Sequence, residues 1–221
     1  MIVCADSLGE GVTALQALDP STIALLLEIG GAPPLRRREP GFAGLAAIIV
    51  SQQVSVASAA AIFGRVEARL SPLTAKAVLG ASEETLRGCG LSGPKLRALV
   101  SAASAVVEGL DLADLANLSA PDAHRALIAV KGVGPWTADI FLLFCLGHPD
   151  AFPAGDLALQ EAAKLALGLR KRPEAARLEK LAERWRPFRG VAARMLWAYY
   201  GAVKTRTGVL DPGLAEGAGT R

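Results

Sequence analysis

Aromatic residues are scarce in this chain, at 5% of 221 positions, and β-branched residues rarely run together. Strands draw on those two classes, so their scarcity excludes a core built on sheets. Cysteine is scarcer still: Cys4, Cys89 and Cys145 are odd in number and far apart. A disulfide framework needs pairs, and a zinc or iron–sulfur site needs closely spaced ligands, so these three exclude both. No apolar run approaches a membrane span; Gly44 to Val50 is the greasiest and is far too short. The start also lacks the basic, apolar and small-residue succession of a signal peptide. The expectation is a cytoplasmic protein that needs no cofactor and holds no metal through its side chains.

What is present is Ala and Leu, which dominate a hydrophobic fraction of 52% and favour an all-α fold. The length suits one sizeable core or two small lobes. The net charge of +3 is unevenly spread. From Lys164 to Arg206 twelve Lys or Arg face three acids, a local +9 that leaves −6 for the rest. Such asymmetry points to a polyanionic partner, or to the solvated faces of amphipathic helices.

Along the chain, residues 1–18 carry little pattern. Asp19-Pro20 then opens a helix that ends at Gly30-Gly31. Pro33 to Pro40 is a break and a crossing between lobes, whose Arg36-Arg37-Arg38 either touches a nucleic-acid backbone or is a solvated linker. Gly41 to Leu70 reads as two buried helices joined near Ser51-Gln52-Gln53-Val54-Ser55. Adjacent glutamines between greasy segments sit at a solvated corner or face a polar ligand. Ser82 starts a short helix, and Ser92 caps the next, which runs to about Val107. Lys95 near that helix start is electrostatically misplaced unless something anionic lies close. The last helices begin at Asp156, after Pro173 and before Val191, the second of them running from Glu174 to Arg186; the tail from Gly208 to Arg221 is Gly-rich.

The most informative stretch is Val130 to Asp139: a helix preceded by Ser119, a turn with Gly132 and Gly134, and a new helix from Pro135. Glycine lets the backbone turn tightly and approach a partner closely. Amides at the new helix start are donors with a partial positive charge, which suits a phosphate. Alone, this is also an ordinary helix-loop-helix corner.

Taken with Asp156, twenty residues beyond Trp136, the run Lys131-Gly132-Val133-Gly134-Pro135-Trp136-Thr137-Ala138-Asp139 resembles the helix-hairpin-helix DNA glycosylases. Within them it is similar to the 3-methyladenine DNA glycosylase II family. Ile49 to Ser55, Gly90 to Lys95, Glu183-Arg184-Trp185-Arg186-Pro187-Phe188-Arg189 and then Leu196-Trp197 carry the rest of the likeness, which runs from about Asp19 to Tyr200. The resemblance implies a two-lobed helical fold with the active-site cleft between the lobes. Residues 44–152 would carry the hairpin, residues 1–43 plus 153–207 the second lobe, and 208–221 a flexible tail. The expectation is a compact form lacking the extra N-terminal β domain of some relatives.

The resemblance also implies roles. Asp156 matches the catalytic aspartate, although a helix cap fits the same position; Asp139, inside a helix, is the competing acid. Trp136 stands where strand-cleaving relatives such as endonuclease III have a Schiff-base lysine, so a monofunctional glycosylase is expected, with no lyase activity. Trp136 and Trp197 would wall the base pocket, or else fill the core, and Ile140 replaces an aromatic of a well-known branch. Gln52 and Gln53 match the segment that enters the minor groove, Gln53 as the wedge. Ser92, Lys95, Gly132, Val133, Gly134 and Thr137 complete the expected DNA contacts, and hairpin carbonyls bind a monovalent cation in relatives. The implied partner is damaged double-stranded DNA, met by a monomer, in the cytoplasm or on the nucleoid of a bacterium. Rival readings are a non-catalytic helix-hairpin-helix DNA-binding module and a bifunctional lyase for oxidised bases, the latter disfavoured by Trp136.

Overall fold

A computed structural model describes residues 1–206, and every regular element among them is helical. The tail expected over 208–221 lies outside the described residues. The chain lays down α1 (Ala5–Leu18) and α2 (Pro20–Gly30), then enters a second unit. There it forms α3 (Phe42–Ser51), α4 (Val56–Arg69), α5 (Ala75–Gly80), α6 (Glu83–Gly88), α7 (Gly93–Val107), α8 (Ala120–Ile128) and α9 (Pro135–Phe141). It returns to the first unit for α10 (Leu157–Ala166), α11 (Ala175–Ala182) and α12 (Arg189–Arg206). The divisions fall after Arg37 and after Leu146, each six residues ahead of the boundaries expected at 43/44 and 152/153. Hydrogen bonds explain both points: Arg38 N donates to Phe144 O at 2.9 Å, and Ile2 N donates to Gly147 O at 2.6 Å.

In the first unit Leu15, Ile23, Leu26, Leu159, Leu178, Trp185 and Leu196 are fully buried in one core. Asp19 caps α2 by accepting from Thr22 N at 3.3 Å, and its other oxygen accepts the Trp185 indole N–H at 3.1 Å. The one polar atom of a buried indole is thus satisfied by the residue that starts α2. A Cβ on Gly30 would lie 2.6 Å from Tyr199 N, so α2 and α12 pack backbone to backbone there.

Residues 1–18, which offered little pattern, form α1; Leu8, Gly11 and Leu15 face inward at helical spacing, but two glycines dilute the signal. The helix expected from Glu174 to Arg186 begins at Ala175 and stops at Ala182, where Glu183–Trp185 tightens into a 3₁₀ turn.

The second unit is built around α3, buried from Gly44 through Val50. Ala46 and Val50 meet Val66, Val78, Leu86, Leu99 and Ala103 in its core. The expectation of two buried helices over 41–70 holds for α3 and not for α4, which buries only Val66. Most apolar positions of α4 are alanines, and so small a side chain gains little from burial. Among the described residues no helix is long and apolar enough to cross a membrane, and no three His, Cys, Asp or Glu gather as metal ligands.

Candidate functional site

Asp156 ends a Pro/Gly-rich loop and begins α10. Its Oδ1 accepts the Leu159 N–H at 2.9 Å, the N-cap bond, and the Trp197 indole N–H at 3.2 Å from α12. The side chain is half-buried, so a carboxylate is held in one orientation at the surface of its unit. Cap and candidate acid are therefore one residue. Trp197, expected as a pocket wall, is half-buried against the unit's core and tethered edge-on to that carboxylate.

The hairpin lies in the other unit. Ser119 caps α8 by accepting from Asp122 N at 3.3 Å, and Val133 N closes the turn on Val130 O at 3.0 Å. Gly132 has φ +89°, and a Cβ there would lie 2.5 Å from Ala98 Cβ of α7. The close approach that this glycine permits is thus to the protein's own helix. Gly134 is exposed with nothing within 4 Å of a built Cβ, leaving room for a partner at the start of α9. Trp136 is half-buried in the first turn of α9. Asp139 pairs with His124 across α8 and α9 at 3.6 Å. Ile140 and Val133 turn inward, 7% and 4% exposed.

Several expected DNA contacts have intramolecular partners. Thr137 is 2% exposed, and its hydroxyl accepts the Gln52 side-chain amide at 2.8 Å. The same amide reaches Gly132 O at 3.4 Å, so Gln52 braces the hairpin. Gln53 beside it is exposed, with φ 55°, a left-handed conformation uncommon outside glycine. Lys95 is 7% exposed and donates to Val50 O at 2.7 Å. The partner is thus no anion but a neutral carbonyl in the last turn of α3, where the helix dipole is negative. Burial pushes its ammonium below the usual lysine value. Ser92 stands at the N-terminus of α7, exposed, and its hydroxyl makes no capping bond.

Sequence reasoning missed the residues that hold the loop before Asp156. Asp150, 8% exposed, accepts from Arg189 N at 3.2 Å, Arg189 Nε at 2.9 Å, Arg189 Nη2 at 2.8 Å and Arg186 Nη1 at 2.7 Å. Gln160, 6% exposed, donates to Ala154 O at 2.9 Å. Arg186 and Arg189 were visible only as a motif, because their partner lies 36 and 39 residues away.

Residues 46–187 match the family model described as HhH-GPD superfamily base excision DNA repair protein. The DNA-3-methyladenine glycosylase 1 of Schizosaccharomyces pombe is 31% identical over 199 residues, covering 86% of this chain and 87% of the relative. The structure of the S. pombe 3-methyladenine DNA glycosylase Mag1 in complex with abasic DNA superposes with a TM-score of 0.74 at 29% identity, covering 85% of this chain and 95% of the other. The crystal structure of the Bacillus halodurans DNA-3-methyladenine glycosidase gives 0.78 at 32%, covering 88% and 91%.

Proposed function

The chain belongs to the HhH-GPD superfamily of base excision DNA repair proteins, and we propose that it is a monofunctional DNA-3-methyladenine glycosylase II-like enzyme. It takes damaged duplex DNA, lets an alkylated base leave the stack, and hydrolyses the N-glycosidic bond to leave an abasic site. The observation that carries the reading is Asp156, a carboxylate oriented by its own helix and by the Trp197 indole.

As the bond from C1′ to the base nitrogen breaks, the electron pair leaves with the base and positive charge develops on the sugar. A fixed carboxylate stabilises that charge without reorganising and orients the water that adds to C1′. The water's second proton is taken up by the carboxylate or by the departing base.

Trp136 supports the monofunctional assignment, because an indole has no amine to form a Schiff base with the sugar. Trp197, tethered to Asp156, offers an electron-rich ring to a base made cationic by alkylation, an attraction of about 0.5–2 kcal/mol. Gln53 is the wedge for the gap left by the flipped base, and its strained backbone presents the amide outward. Gly134, an exposed residue, offers its amide to a phosphate. The carbonyls of Val130 and Gly132 each accept one hydrogen bond and retain a lone pair, which fits a monovalent cation. Such an ion would add positive charge for the phosphate.

The test is excision from single-lesion duplexes, read by alkali cleavage. The Asp156→Asn protein is expected to lose at least about a hundredfold in single-turnover rate; a wild-type rate would remove Asp156 from the mechanism. Borohydride should trap no enzyme–DNA adduct, and a trapped adduct would restore the lyase reading.

A further inference from the structure

The block Glu183 to Arg189 makes no contribution to the chemistry proposed above, yet it carries a dense polar network. Asp150 lies at the near end of the loop that delivers Asp156, and its carboxylate takes four hydrogen bonds from Arg186 and Arg189. Gly190 N, one residue on, donates to Pro149 O at 2.7 Å. Arg189 also reaches Glu183 Oε1 at 3.1 Å, and Arg186 reaches Glu183 Oε2 at 2.7 Å, which fixes the fork on both sides. The far end of the loop is held by Trp197 on Asp156.

Arg189 and Trp197 belong to the same helix, α12, eight residues and therefore about 12 Å apart along its axis. The loop from Asp150 to Asp156 is thus attached at both ends to one rigid rod. Between the attachments, Ala154 O is held by Gln160, and Phe152 is buried against Trp185, with ring centroids 6.4 Å apart. We propose that Asp150, gripped by Arg189 and Arg186, is a positioning residue that sets the carboxylate of Asp156 by fixing the loop's register along α12. The proposal rests on the reading that Asp156 acts at the sugar, because only then does its placement affect a rate.

The clamp chemistry is demanding in a specific way. A guanidinium presents a planar fork that meets one carboxylate bidentately, and lysine cannot reproduce it. Asp150→Asn keeps the shape, loses the charge and turns an acceptor into a donor facing Arg189. The loop end is then free to slide, and displacements of about 1 Å at a reacting group cost about a hundredfold in rate.

Two readouts test this in the full chain. The first is the indole N–H resonance and hydrogen exchange of Trp197, with Trp136 in the other unit as control. Asp150→Asn should shift the Trp197 resonance and speed its exchange about tenfold or more, leaving Trp136 in place. The second is single-turnover excision per molecule competent to bind a duplex with a tetrahydrofuran abasic analogue. Asp150→Asn should slow it about 10- to 100-fold in the Asp156 background and should add no further slowing to Asp156→Asn, since residues acting through one group are non-additive. Arg189→Lys should give a smaller change in the same direction in both readouts, and it carries the test if Asp150→Asn does not fold. An unmoved Trp197 resonance, a wild-type rate, or equal slowing in both backgrounds would overturn the proposal. Failure of the parent reading looks different: Asp156→Asn itself would excise normally.

Discussion

At the scale of single residues, Asp156 and Trp197 define each other. A cap residue on a helix start is common, and the same carboxylate accepting an indole N–H from a helix 41 residues on is a tertiary fact. The tether separates two roles of the tryptophan, because phenylalanine keeps an aromatic face and removes only the donor. Trp197→Phe is expected to slow single-turnover excision about 10- to 100-fold, since a hydrogen bond to a charged group is worth about 1.5–3 kcal/mol. Binding to abasic-analogue DNA should change little, and a rate within twofold of wild type would return Trp197 to a packing role. Lys95 shows the opposite relation between position and use. Its place in the first turn of α7 predicts an anionic neighbour, and its ammonium donates instead to the neutral carbonyl Val50 O inside the unit. Charge pattern announces that a partner exists and is silent on whether the partner is backbone or DNA.

At the scale of elements, the hairpin was legible because glycine, proline and serine act locally. Ser119, Pro121, Gly132, Gly134 and Pro135 stand where a capped helix, a tight turn and a second helix start need them. What the residues did not disclose is the surface on which the hairpin rests. Gly132 sits on Ala98, and Gln52 ties the preceding turn to Thr137 and Gly132 O, contacts that span 34, 80 and 85 residues. Gly132→Ala therefore meets both a left-handed φ and a helix backbone, with Ala98 Cα 2.9 Å from the added carbon. The expected cost is about 2–4 kcal/mol in denaturant unfolding, combining overpacking with backbone strain. Affinity for undamaged duplex should fall as well, because the turn that presents Gly134 must shift. A variant with unchanged unfolding midpoint would mean that α7 yields more easily than its packing indicates. Helices α1 and α4 were the elements least readable from sequence. In α1 glycines interrupt the apolar period, and in α4 alanines imitate a core without enough area to require one.

For the whole molecule, the uneven charge resolves into two populations. Lys164, Arg184, Arg186 and Arg189 are ion-paired within the first unit, and Arg194 donates to the carbonyls of Leu35 and Arg36. Burial, with Arg37 and Arg36 nearby, brings the Arg194 guanidinium down to about 10. Arg170, Lys171, Arg172, Arg177 and Lys180 are exposed and remain for a polyanion or for solvent. Much of the local excess is therefore structural charge.

The same unit carries a pH response. Burial, then the N-terminal ammonium and Arg189, hold His148 below its ordinary value of about 6.5, against the opposing pull of Asp150. The neutral ring is the form that fits, because its Nδ1 accepts the Asp150 N–H at 3.1 Å. Stability from this group is fully present above the unfolded value and is lost as pH falls through the lower folded value. The melting temperature should decline on acidification below about pH 6.5, and His148→Gln, which cannot titrate, should flatten that decline. Parallel curves for the two proteins between about pH 7 and pH 5 would remove His148 from the account.

By itself the sequence determined the helical class, the hairpin, the cap positions of Asp19, Ser119 and Asp156, and through Trp136 the expected kind of chemistry. Each of these depends on short-range rules: periodicity, capping, turn conformation, or the presence or absence of an amine. Only the tertiary structure decided that Gln52, Thr137 and Lys95 brace the protein's own elements, and that Asp150, Arg186, Arg189 and Trp197 hold the loop of Asp156. The reason is that a polar side chain carries the same hydrogen-bonding capacity whether it meets solvent, DNA or a distant backbone. Burial and long-range packing choose among them, and both exist only once the chain has folded.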